Sequence, residues 1–167
     1  MIHIEKHIIL ILGIVLSLSA SKYAHANPES VIYISESKTA IGEDVHYIRG
    51  PATQVHAKDI PELYFSGQFR KSSVAQPSLG LIDDVVWVAI KLQPLHAKTT
   101  QYYLELAYSQ LDSIKLYELQ GDSLEHVHST GDTYFFDQRP IIHRHFVFPL
   151  ELSAQGPKTF FLRLETT

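Results

Sequence analysis

The chain has 167 residues, 45% hydrophobic and 19% charged, a composition that excludes a disordered polymer and suits one domain. Lys and Arg number 14 against 18 Asp and Glu, and the net charge of -4 removes the general electrostatic pull toward nucleic acid, so no nucleic-acid partner is expected. Cysteine is absent, which excludes a disulfide framework, a thiol nucleophile and any Cys-based zinc or iron-sulfur site.

The N-terminus reads as an export signal. Lys6 and His7 precede an apolar run from Ile8 to Leu18, and Ala24-His25-Ala26 supplies a small-x-small cleavage site before Asn27. The apolar run is shorter than the roughly 20 residues a membrane-spanning helix needs. Residues 1–26 are therefore expected to be a signal peptide, and 27–167 an exported domain in the periplasm or on the extracytoplasmic face of a membrane.

Val31 to Ile34 and Asp44 to Ile48 are short apolar runs expected as strands, the second ending at a turn signal, Arg49-Gly50-Pro51. Asp59 to Phe65 suits a short helical turn with Pro61 in its first turn. Ser66 to Ser78 reads as a loop, locally basic at Arg70 and Lys71. Gly80, Asp83 and Asp84 then mark a turn into the longest β-branched run of the chain, which holds its only Trp. In extended geometry Val86, Val88, Ile90 and Leu92 form one aliphatic face, and Val85, Trp87, Ala89 and Lys91 form another that is expected to be only partly covered.

Tyr102 to Tyr108 alternates with period two, as a half-buried strand does. Asp112 to Leu119 and Leu124 to His128 flank Gly121-Asp122 and read as a hairpin. Gly131-Asp132 opens a loop that Arg139-Pro140 closes, and strands follow at Phe146 to Leu150 and Phe160 to Leu164. Short strands at near-regular spacing, with turn residues between them and almost no helical periodicity, indicate an all-β fold, a β-sandwich or jelly roll.

Leu79-Gly80, Val86-Trp87-Val88, Leu111-Asp112, Leu116-Tyr117, Arg139-Pro140, His143-Arg144, Phe146-Val147-Phe148-Pro149-Leu150 and Phe161-Leu162-Arg163-Leu164 together resemble 7TMR-DISMED2, over roughly Asp44 to Thr167. This is the extracytoplasmic sensor domain of bacterial receptors with seven transmembrane helices. The resemblance implies a jelly-roll-like sandwich similar to carbohydrate-binding modules. It also implies a small ligand, with carbohydrate as the leading class, sensed on behalf of a membrane-embedded seven-helix region and an output module such as a diguanylate cyclase or histidine kinase. Where the family often has an Asp at the end of its N-terminal strand, this chain has Arg49. The seven helices are not in this sequence; if the sequence is complete, the chain is expected to bind but not itself to signal across a membrane, and otherwise it is expected to be a fragment of a longer receptor. Gly80, Arg139 and Pro140 are expected to be structural, Arg139 by tying loop carbonyls with its five donors.

Strand register places Trp87, Lys91, Tyr103, Glu105, His143, His145 and Arg163, with Phe161 and Glu165, on faces opposite the aliphatic core. Rings beside charged hydrogen-bonding groups are the chemistry of sugar recognition, and Trp87, Lys91, Tyr103, Glu105, His143, His145 and Arg163 are the candidate ligand contacts. The same surface could instead dock a partner protein or a second copy, making a homodimer. His126 with His128, and His143 with His145, are two His-x-His pairs, each expected to project from one side of its strand in the manner of cupin-like metal ligands, so that a zinc or iron site, and with it a cupin-like enzyme, is conceivable. No third ligand stands at a recognisable spacing, and Asp83, Asp84, Asp132 and Asp137 lack calcium-loop spacing, so neither a metal nor another cofactor is expected. Glu105 and Glu165 could be imagined as a glycosidase pair, but nothing fixes their separation. Catalytic motifs are absent, and an enzyme is not expected.

Overall fold

A computed structural model of the chain describes residues 7–10, 30–35, 39–73, 84–96, 101–108 and 110–166. The strands are β1 (His7–Leu10), β2 (Ile32–Ile34), β3 (Thr39–Ala40), β4 (His46–Pro51), β5 (Arg70–Lys71), β6 (Asp84–Pro94), β7 (Gln101–Leu106), β8 (Ser113–Gln120), β9 (Ser123–Thr130), β10 (Phe146–Glu151) and β11 (Lys158–Glu165). One short helix, α1 (Ile60–Phe65), carries Pro61 in its first turn, where a missing N–H costs nothing.

Among the described residues these strands form two sheets. One has the order β10-β7-β1-β3, and the other β5-β4-β6-β11-β8-β9 with β2 also paired to β6. Antiparallel pairing dominates, β1 and β2 being parallel to their neighbours. Side chains from both sheets meet in one apolar layer. Val86, Val88, Ile90 and Leu92 from β6, Phe160, Leu162 and Leu164 from β11, and Ile114 and Leu116 from β8 pack with Tyr102, Leu104, Leu106, Phe146, Phe148 and Leu150 from β7 and β10. The period-two pattern thus builds an all-β sandwich, each large buried side chain contributing about 1.5–3 kcal/mol of transfer free energy.

The second face of β6 differs from expectation. Val85, Trp87 and Ala89 are buried together with Phe161, Ile60, Tyr64 and Phe69 in a second apolar cluster. Tyr64 makes edge-on ring contacts with Phe161 at 5.2 Å and Phe69 at 5.6 Å. Ile60 and Tyr64 lie one helical turn apart, and α1 lays that stripe over the sheet, so the face is covered and not open.

Two local features also depart from the sequence reading. β4 continues through Arg49-Gly50-Pro51, pairing Gly50 with Val85 and Pro51 with Asp84, because a Pro at a strand end gives up no ladder bond it would need. Arg49 there bonds Asp84 at 2.8 Å. Arg70–Lys71, expected as loop, is a short strand beside β4. His7–Leu10, within the expected export signal, is a strand between β3 and β7, and most of residues 1–26 lie outside the described residues, as do Gly80 and Asp83.

Candidate functional site

The sandwich divides the candidate ligand contacts. Trp87, Lys91 and Arg163 belong to β6 and β11, with Arg163 paired to Trp87 across the ladder, on the outer side of the larger sheet. Tyr103 and Glu105 belong to β7, and His145 directly precedes β10, on the outer side of the smaller sheet. Two sheets about 10 Å apart separate the groups, so they form no common surface. Trp87 is 0% exposed and offers no ring face to a ligand. Arg163 is engaged by Glu165, Nη1 to Oε2 at 2.6 Å.

The smaller sheet does gather three of the candidates. Glu105, 5% exposed, meets Nδ1 of His145 through Oε1 at 2.5 Å. The backbone N–H of His145 donates to Nδ1 of His143 at 3.2 Å, and the two imidazoles stand edge to face at 5.4 Å. Arg139 holds the turn that carries them. Its Nη1 donates to the carbonyls of His143 at 2.8 Å and Arg144 at 3.2 Å, while its guanidinium stacks over Phe136 and Phe146 at 4.7 and 4.4 Å. Pro140 follows at a half-buried position. Such stacked, multiply bonded Arg geometry fixes a loop in a way that a Lys could not reproduce.

The His126–His128 pair behaves otherwise. Tyr117 pairs with His126 and Leu116 with His128, leaving Val127 as an extra residue, a β-bulge. The insertion shifts the alternation, so the His126 ring meets Tyr117 on the outer side while His128 approaches Phe148 on the core side. The pair therefore does not project from one side of its strand.

The bulge also shapes an opening. Among the described residues β9 and β10 each form one edge of a sheet, and a half-open cleft of about 420 Å³ near them is lined by Gln101, Glu118, Val127, His128, Pro149, Leu150, Glu151, Lys158 and Phe160. Lys158 bonds Glu118 across its wall at 2.9 Å. Amide, carboxylate, ammonium and imidazole groups here surround an apolar floor. Of these lining residues only His128 was a candidate functional residue from the sequence, as half of a His-x-His pair. The others stand on five different strands whose convergence depends on which strands are sheet edges.

Burial holds the His128 pKa below its ordinary 6.5, reinforced by His126. His46 on β4 is lowered from the same value by burial and then by Lys71, against an opposing pull from Asp44. Both are bases favoured in their neutral form by folding, so the unfolded chain binds more protons over the shifted range. Their stabilising contribution is complete above pH 6.5 and is lost as the pH falls from there through the lowered folded-state values. Melting temperature should accordingly fall on acidification from about pH 7.5 to about pH 5, with a shallower slope in His46→Gln and in His128→Gln. Unchanged slopes in both variants would contradict this assignment.

Residues 42–167 match the family model of 7TMR-DISM extracellular 2, an extracellular domain family. No curated protein matches the chain. Among the described residues no helix is long and apolar enough to cross a membrane.

Proposed function

The chain belongs to the 7TMR-DISM extracellular 2 family, and we propose that this extracytoplasmic receptor domain senses a small polar ligand, of the carbohydrate class, in the cleft between β9 and β10. The family is one of sensor-type domains, not catalytic ones, and the two-layer sandwich supports its jelly-roll-like reading. The observation that carries the proposal is the composition of the cleft. Gln101, Glu118, His128, Glu151 and Lys158 supply donors and acceptors around Val127, Leu150 and Phe160. Hydroxyls on an apolar ring scaffold need that mixture, and the volume lies within the usual range for small-molecule sites. Ligand in the cleft would bridge the two sheet edges and shift the population of domain arrangements that a seven-helix region reads.

Calorimetric titration of the purified chain with neutral, amino and acidic mono- and disaccharides tests this. Binding by at least one class, weakened about tenfold or more in Lys158→Ala through loss of a charge-assisted hydrogen bond, is the expected result. No binding across the panel would sink the carbohydrate assignment.

A second reading, docking of a partner protein or a second copy, is favoured by a different surface. The loop before β10 exposes Phe135 at 77%, Phe136 at 52% and Ile142 at 59%. Apolar side chains grouped this way mark contact surfaces. Concentration-dependent association that Phe135→Ser abolishes would favour docking over ligand sensing.

A further inference from the structure

We propose that Glu105, His143 and His145 form a three-ligand site for a divalent transition metal, zinc by its donor set. One potential ligand atom from each residue lies within 4.8 Å of the other two. Two imidazoles and one carboxylate are a donor set that zinc takes with a water in its fourth position, as a site with an open coordination place. The sequence reading expected no metal, because it searched for ligands by spacing and the carboxylate stands 40 residues from its imidazole.

The arrangement is built by the fold. β7 points Glu105 outward beside the end of β10, and antiparallel pairing sets Val147 opposite Glu105 and so brings His145 to the carboxylate. Arg139 fixes the carbonyls of His143 and Arg144, which restricts where the His143 ring can lie. The contact between Glu105 and His145 accounts for those two groups as a hydrogen-bonded pair. It gives no reason for the His143 ring, which is held edge-on at the same place and, among the described residues, accepts one 3.2 Å bond from a backbone N–H.

Metal binding requires side-chain movements on the order of 1 Å, because ligand atoms lying within 4.8 Å of one another must settle at tetrahedral separations. The proton shared by Nδ1 of His145 and Oε1 of Glu105 leaves to solvent, and the ion takes its place. Ligand bonds of about 2.0–2.2 Å at tetrahedral angles put donor atoms roughly 3.3–3.5 Å apart, so the 2.5 Å contact opens by about 1 Å. His143 exchanges its long bond from the His145 amide for a metal bond. The ion would then pin the loop bearing Phe135, Phe136 and Ile142 to β7. This site is independent of the ligand cleft, which takes from β10 its far end, Pro149 to Glu151.

Cobalt(II) titration of the purified, chelator-treated chain, carrying no histidine tag, is the test. The expected result is one equivalent of cobalt bound with the intense visible bands of a four-coordinate site, bleached by one equivalent of zinc, and a melting temperature raised by zinc. His143→Ala changes a half-exposed loop residue, so it should fold, lose the bands and lose the zinc-dependent rise in melting temperature. Its affinity should fall by more than the roughly 100-fold typical of outer-shell changes. Glu105→Gln keeps the shape of the buried side chain and should behave alike. His56→Ala, at an exposed position outside both the metal site and the cleft, controls for the other histidines and should leave the site intact. Bands that persist in His143→Ala, bands lost in His56→Ala, or no zinc-dependent change in the unmodified chain would overturn the proposal.

Discussion

Trp87→Ala should lower the unfolding free energy by about 3–5 kcal/mol, the range for deleting a fully buried large aromatic side chain. Trp87 is 0% exposed at the centre of the outer cluster, where α1 and Phe161 cannot collapse fully into the space it would leave. Against a typical domain stability of about 5–15 kcal/mol this is a large fraction, so a ligand-binding defect in Trp87→Ala would report on folding. Trp87→Phe separates the causes. The indole Nε1 is buried with no hydrogen-bond partner among the described residues, and the substitution removes that unpaired donor along with part of the ring. The relief offsets some lost packing, so the cost should stay below about 2 kcal/mol. Urea denaturation, with unchanged dependence on denaturant, measures both. Equal losses in the two variants, or a loss below about 1 kcal/mol in Trp87→Ala, would contradict the packing described.

Gly131→Ala should cost about 3 kcal/mol or more, from two additive causes. The φ of Gly131 is +144°, a conformation that side chains rarely adopt. An added Cβ would also sit 2.2 Å from the carbonyl oxygen of Asp112 and 2.9 Å from Cα of Ser113, backbone atoms that cannot swing aside. The same carbonyl accepts hydrogen bonds from the N–H of Thr133 at 3.2 Å and its hydroxyl at 2.7 Å, and the N–H of Asp132 donates to Leu111 at 2.8 Å. That clamp anchors the loop leading to Arg139, His143 and His145, so the variant should also weaken cobalt binding. Gly121→Ala is the internal reference. Its φ is +61° with nothing within 4 Å of an added Cβ, which leaves only the left-handed backbone penalty of about 1–2 kcal/mol. Equal stability losses at the two glycines would show that the Asp112 contact is not as close as described.

Period-two alternation made β6, β7, β10 and β11 legible from sequence, because each strand buries one side in a core shared by both sheets. The cover over Trp87 was less legible. Its signal was Ile60, Tyr64 and Phe69, apolar groups in and after a short helix too small to bury them by itself, which must therefore lie on a sheet. Face assignment within a strand was sound for Glu105 and Tyr103, yet alternation cannot say which sheet a strand joins. Trp87 and Glu105 were thus grouped although the sandwich puts them on opposite outsides. The same blindness hid the carboxylate partner of His145, which depends on β7 pairing with β10, and the separation of His126 from His128, which depends on a single bulged residue. The cleft was the least legible element. Its walls come from β7, β8, β9, β10 and β11, and only the order of strands reveals β9 and β10 as edges.

A small ligand at the proposed site would lie between the β9 and β10 edges. Backbone amide chemical-shift mapping on the isotope-labelled chain, titrated with the saccharide that gives the largest calorimetric signal, tests it most directly. The expected result is a set of saturating shifts concentrated at Gln101, Glu118, Val127, His128, Glu151 and Lys158, lost in Lys158→Ala while the rest of the spectrum is retained. Shifts confined to the outer face of either sheet, around Arg163 or around Tyr103, or an absence of shifts at saturating saccharide, would contradict it.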